Sequence, residues 1–200
     1  MSKHHVIYVP GIGDWRPLGQ DKGIEWWRLL GVRGHYHPVW WSSKELFEDK
    51  LNKLLAEIDG YSEQGDNVSL IGFSAGASAV LNAFAQRRDK ITTVICVSGK
   101  INEPDTTSPH YFQENPAFKE SLLLLQDNLA TFSSEDKQRM LTLNPLVDLV
   151  VPLKDAVIPG VKRWRTIAFG HMMSIAVTLI FYAPFIAWRI KRQVSRQSIE

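Results

Sequence analysis

The sequence predicts an α/β domain: a doubly wound, mostly parallel sheet with helices on both faces and a small helical, lid-like insertion. Short β-branched and aromatic runs alternate with stretches at helical spacing, the pattern of strands joined by crossover helices. Early apolar runs stop at glycine-rich turns, and one of these turns, Gly72-Phe73-Ser74-Ala75-Gly76, opens directly into a helix-like run. A length of 200 residues with 44% apolar content suits one domain with a sizeable core.

Residues 6–9 (Val-Ile-Tyr-Val) read as the first strand and end at the loop Pro10-Gly11-Ile12-Gly13-Asp14. Residues 38–41 are a weaker strand candidate. Residues 44–58 carry Leu46, Phe47, Leu51, Leu54, Leu55 and Ile58 at helical spacing, with Ser42 and Ser43 placed as caps. A strand at 68–71, a helix at 77–86 and a buried strand at 92–97 follow. Residues 101–115 are rich in Pro, Asp, Thr and Ser and lead into two expected helices, 117–132 and 135–143. Ser133 with Asp136 resembles a capping box that has Asp where Glu or Gln is usual. Residues 101–145 are therefore expected to form the insertion or lid. Residues 146–153 read as another buried strand, and 164–169 as the last one before Gly170-His171.

The turn at Ser74 carries the chemistry. A serine on a sharp strand-to-helix turn adopts a strained conformation, and glycines two residues either side keep the backbone uncrowded. Its Oγ then points outward, while the N–H of Ala75 lies at a helix N-terminus that favours developing negative charge. Serine is a weak nucleophile until a base takes its proton, so Ser74 calls for a histidine and an orienting carboxylate. Of six histidines, His171 alone follows the last strand candidate and can enter the crevice at the carboxyl ends of the strands. For the carboxylate, Asp155 follows the expected 146–153 strand, Asp148 lies inside that apolar run, and Asp105 is the rival, placed after the 92–97 strand.

The chain order Ser74, Asp155, His171 resembles that of the α/β-hydrolase superfamily, close to its compact single-domain esterase and lipase-like members, over residues 6–171. In that family the loop after an early strand usually reads His-Gly and supplies the second oxyanion amide. Here Pro10 precedes Gly11, and by the match the Ile12 N–H pairs with that of Ala75, with Gly13 as the fallback. The resemblance implies cleavage of carboxylic esters through an acyl-enzyme on a Ser-His-Asp triad, with a small-molecule ester or acyl compound as substrate. Thioesterase and lipase action share that machinery, and a non-catalytic hydrolase-fold protein that binds a partner is the alternative. Gly13, Trp15 and Phe73 flank the oxyanion loop and nucleophile and are the candidate pocket residues.

The net charge of +2 and the scattered Lys and Arg argue against a nucleic-acid partner. Neither a metal-ligand spacing nor the third glycine of a dinucleotide fingerprint occurs, so no metal and no cofactor is expected. The single cysteine, Cys96, lies in an apolar run and excludes a disulfide framework. The N-terminus has no long apolar region typical of a secretory signal, which makes the cytoplasm the expected address. Residues 172–192 are expected to form an apolar C-terminal helix, of which 172–188 carry no charge and include Pro184. That stretch is short for a membrane span. Packing on the sheet, peripheral membrane contact and a homodimer interface are the three readings of its apolar surface.

Overall fold

The structure, a computed structural model, describes residues 2–102 and 107–197. Six strands build one sheet: β1 (His4–Val9), β2 (Arg33–Tyr36), β3 (Asn67–Phe73), β4 (Ile91–Val97), β5 (Met140–Val147) and β6 (Lys162–Phe169). They are all parallel and lie in the order β2-β1-β3-β4-β5-β6. From β1 the chain first goes out to β2 and then returns to the other side with β3. That reversal opens a crevice outside the carboxyl ends of β1 and β3.

Alternation along the strands supplies two cores. Ile7, Val9, Val68, Leu70 and Val94 face a layer made of α2 (Phe47–Glu63), α3 (Gly76–Gln86) and α5, which spans Pro116–Leu129. Val6, Tyr8, Ile71, Ile95 and Leu141 face the opposite layer. There α1 (Gln20–Glu25) and a 3₁₀ turn (Trp26–Leu30) pack beside the C-terminal helices. Trp27 and Trp41 are fully buried, one in each core, and each burial contributes about 2–3 kcal/mol.

Several elements depart from the sequence expectation for identifiable reasons. The second strand is Arg33–Tyr36, not 38–41: the His37 N–H closes onto Tyr8 O, Pro38 has no N–H to extend the ladder, and Trp40 has a left-handed φ of 59°. Helix α2 starts at Phe47 rather than under a serine cap, and Glu120 accepts the Phe47 N–H at 2.7 Å. Most of the expected 101–145 insertion is the ordinary crossover between β4 and β5. Within it α5 packs on α3, with Ser78 Oγ 2.6 Å from Ser121 Oγ and Asn82 Nδ2 donating to Ser121 O at 2.8 Å. Among the described residues of the crossover, α4 (Pro109–Glu114) has no fully buried residue, yet its Phe112 packs against Phe118 of α5, with centroids 5.7 Å apart. The capping box at Ser133 and Asp136 forms and starts α6 (Ser134–Gln138). The expected 135–143 helix therefore stops early, and residues 140–147 are β5.

The apolar C-terminal stretch is not one helix. It divides into α7 (His171–Ala176), a π-helical turn (Val177–Phe181) and α8 (Ala183–Gln197), bent by 65° at the break. Pro184 has no N–H to continue a ladder through that point. Beside the break, Leu179 O accepts the indole N–H groups of Trp26 and Trp27, each at 2.9 Å. Among the described residues, no single helix is long and apolar enough to cross a membrane.

At the amino end of β1, burial, reinforced by His5 and Lys191, lowers the pKa of His4 from 6.5 to about 4. The folded state thus holds a neutral imidazole, its Nε2 2.9 Å from Ser69 Oγ. With the folded pKa below the unfolded one, this stabilisation is complete above pH 6.5 and lost as the pH falls towards 4. We expect His4→Gln to remove up to about 3 kcal/mol of pH dependence in that window. Urea unfolding at a series of pH values measures it.

Candidate active site

The β3–α3 junction has the geometry that a G-x-S-x-G turn requires. Ser74 holds a left-handed φ of 52°, its N–H donates to Val97 O at 3.0 Å, and its carbonyl accepts from Ala77 and Lys100, each at 3.1 Å. A Cβ on Gly72 would lie 2.5 Å from Gly76 O, and one on Gly76 would strike Val9 O, so neither position has room for a side chain. Strain of about 1–3 kcal/mol at such a serine persists because these contacts leave it no alternative. Its Oγ opens into a cavity and has no hydrogen-bond partner among the described residues.

The loop after β1 lies over this serine. A Cβ on Gly11 would come within 2.8 Å of Ser74 Cβ, and Ile12 lines the same cavity. Both ends of the loop are anchored: Trp41 Nε1 donates to Pro10 O at 3.1 Å, and the Asp14 carboxylate accepts the N–H groups of Trp40 and Trp41. Ala75 precedes α3, where the first amides have no intrahelical acceptor.

His171 is the first residue of α7, separated from the end of β6 by Gly170 alone. Its Nδ1–H donates to Asp148 Oδ2 at 2.8 Å, and both side chains are buried. Its ring packs on Phe73, the residue before Ser74, with centroids 4.9 Å apart. Ser174, one turn on, gives its hydroxyl proton to His171 O at 2.6 Å. It accepts the hydroxyl of Ser98, at the end of β4, at 2.8 Å. The start of α7 is thus tied across the sheet towards β3. Asp148 follows β5 immediately, and its Oδ1 accepts the Val150 and Val151 N–H groups, each at 2.9 Å. Burial opposes its charge, yet the His171 hydrogen bond and these two amides outweigh it and hold the carboxyl below its ordinary value.

Asp155 is elsewhere. It lies on a 3₁₀ turn (Leu153–Ala156) inside the β5–β6 crossover and is bonded to Lys100 Nζ at 2.7 Å, both side chains buried. The carboxylate on His171 is therefore Asp148, which corrects the assignment of Asp155. Asp105 lies outside the described residues. Ser74, Lys100 and Asp155 share the cavity of about 450 Å³ with Ile12, Tyr111, Phe118, Leu149 and Val150. Gly13, Trp15 and Phe73 do not line it: Trp15 is half exposed beneath the Arg16 guanidinium, and Phe73 is buried under His171.

Solved structures share the overall fold. A carboxylesterase structure from the thaumarchaeon Nitrososphaera gargenis superposes with a TM-score of 0.69 at 13% identity, over 95% of this chain and 92% of that one. A structure described with the metagenome-derived lipolytic enzymes LipS and LipT gives 0.65 at 13% identity, over 96% of this chain and 94% of that one. Est1E from Butyrivibrio proteoclasticus gives 0.63 at 15%, over 97% and 89%. The chain has the α/β-hydrolase fold. No protein-family model matches the sequence, and no curated protein matches it by sequence.

In this α/β-hydrolase fold, the carboxylate that bonds His171 differs from the expected Asp155 because a strand lies elsewhere than expected. Thr142, Asn144 and Pro145 interrupt β5 with polar or ladder-breaking residues, so the cleaner apolar run at 146–153 drew the assignment. Spacing carried the missing signal: a parallel crossover needs about 10–12 residues, and only six separate Asp155 from β6 against thirteen from Asp148. We expect Asp148→Asn to lower kcat by about 10³–10⁴-fold with the fold retained, through loss of imidazole orientation. Asp155→Asn takes this carboxylate away from buried Lys100, so we expect it to lower thermal stability and to leave the His171 hydrogen bond intact. Steady-state kinetics and thermal unfolding of the two variants separate these roles.

Proposed function

We propose that the protein is a serine hydrolase of carboxylic esters, with Ser74 as nucleophile, His171 as base and Asp148 as the carboxylate that orients it. The observation that carries this reading is the left-handed Ser74 at the floor of an open cavity, in the same row of strand ends as a buried His171–Asp148 pair. Serine–base hydrogen bonds commonly close only with substrate present, so an open Ser74 Oγ suits a resting site. In the reaction His171 Nε2 takes the Ser74 hydroxyl proton as Oγ adds to the ester carbonyl. The resulting oxyanion is met by the Ala75 and Ile12 N–H groups, worth about 3 kcal/mol per donor. His171 then protonates the leaving alkoxide, and a water activated by the same nitrogen releases the acid and restores Ser74. Asp148 keeps the Nδ1–H directed away from the reacting atoms throughout.

Tyr111, Phe118, Leu149 and Val150 give the cavity an apolar wall suited to an acyl group. That the structural neighbours include carboxylesterases, lipolytic enzymes and a monoacylglycerol lipase supports an ester over an amide substrate. A fluorophosphonate probe tests the reading. We expect it to label the wild type and not Ser74→Ala, and p-nitrophenyl ester hydrolysis to fall by at least about 10³-fold in that variant. Folded wild-type protein that takes no label would overturn the assignment.

A further inference from the structure

The C-terminal helices are apolar on both faces: Ile175, Leu179, Ala183 and Ile186 fill the inner one, and the outer one is apolar too. A helix packed on a sheet turns its apolar stripe inward and its polar residues to water. In α7, the π turn and α8 as far as residue 188, Ser174 and Thr178 are buried, whereas every exposed position carries an apolar side chain. Met172, Met173, Ile180, Phe181, Phe185 and Trp188 are all exposed, with Phe181 at 73%. This surface continues to the site: Gly170 N–H bonds to Val147 O, which sets the 147–150 loop beside α7, and Leu149 and Val150 of that loop line the Ser74 cavity. Leu149 is 91% exposed.

Charge says what covers it. Residues 146–197 hold eight Lys and Arg against two Asp, and those two are engaged by His171 and Lys100; the rest of the chain holds 15 Lys and Arg against 19 Asp and Glu. Arg189, Lys191 and Arg192 follow the apolar face directly, and the Arg192 guanidinium stacks 5.3 Å from the Trp188 ring centroid. An apolar face ending in tryptophan and bordered by arginine is the pattern of helices lying in an anionic interface. The 65° bend argues against a straight span, and the shared positive surplus opposes pairing with a second copy of the same face.

We propose that this face seats the protein on an anionic lipid bilayer, with the mouth of the Ser74 cavity against the lipid. Docking stands apart from the hydrolase reading; entry of acyl substrates directly from the bilayer rests on it. Sedimentation of the full chain with phosphatidylcholine vesicles, alone or mixed with phosphatidylglycerol, tests it beside a Phe181→Ser/Trp188→Ser double variant. Both replaced side chains are exposed, so circular dichroism and thermal unfolding should match the wild type. We expect the wild type to bind the mixed vesicles, less at high salt, and the double variant to partition at least about tenfold more weakly. Hydrolysis of soluble p-nitrophenyl acetate should be equal in both proteins, and its absence from both would count against the hydrolase reading alone. Equal binding to both vesicle types, undiminished binding by the double variant, or a wild-type dimer that the variant abolishes in light scattering would overturn the proposal.

Discussion

Everything at this site depends on one residue's backbone. Ser74 must leave β3 with a positive φ for its side chain to face the crevice while its neighbours enter α3. No local preference favours that conformation in serine. It is imposed from outside, by the N–H to Val97 O, by the carbonyl held from Ala77 and Lys100, and by the close approach of Gly76 to the end of β1. Because β1, β3 and β4 are adjacent parallel strands, the same sheet that fixes this turn also brings the Gly11–Ile12 loop over it.

The remaining groups extend from that point along one edge of the sheet. Ser74, Ser98, Asp148 and His171 follow β3, β4, β5 and β6 in turn, so each residue comes from the next strand over. The Ser98–Ser174 hydrogen bond draws α7 across this row, and Phe73 supports the His171 ring from below. Two buried carboxylates then divide the work by their partners. Asp148 holds an imidazole, whereas Asp155 neutralises Lys100 and accepts the Ile101 and Asn102 N–H groups on its carbonyl, bracing the cavity wall.

The sequence made the α/β alternation, the strained turn at Ser74 and the position of His171 legible because each rests on local signals: apolar runs, a glycine-bracketed serine and a residue that follows a strand. What it hid was decided by partners far along the chain. Residues 140–147 become a strand because β4 and β6 pair with them, despite Asn144 and Pro145. Slipping that strand by six residues moved the expected carboxylate from Asp148, which bonds His171, to Asp155. Likewise, the polar residues of 101–115 suggested an excursion through 145, yet α5 belongs to the sheet-covering layer through Ser121 and its apolar side. The 172–188 run announced its hydrophobicity, but only the packing reveals that it faces both ways, with Ile175, Leu179 and Ile186 inward and Met172, Phe181 and Trp188 outward.

The most direct measurement is a crystal structure of the protein trapped with a phosphonate ester. Phosphorus should be bonded to Ser74 Oγ, its free oxygen within hydrogen-bond reach of the Ala75 and Ile12 N–H groups, and His171 still bonded to Asp148. An adduct on another residue, or a His171 turned away from the phosphonate and paired elsewhere, would contradict this assignment.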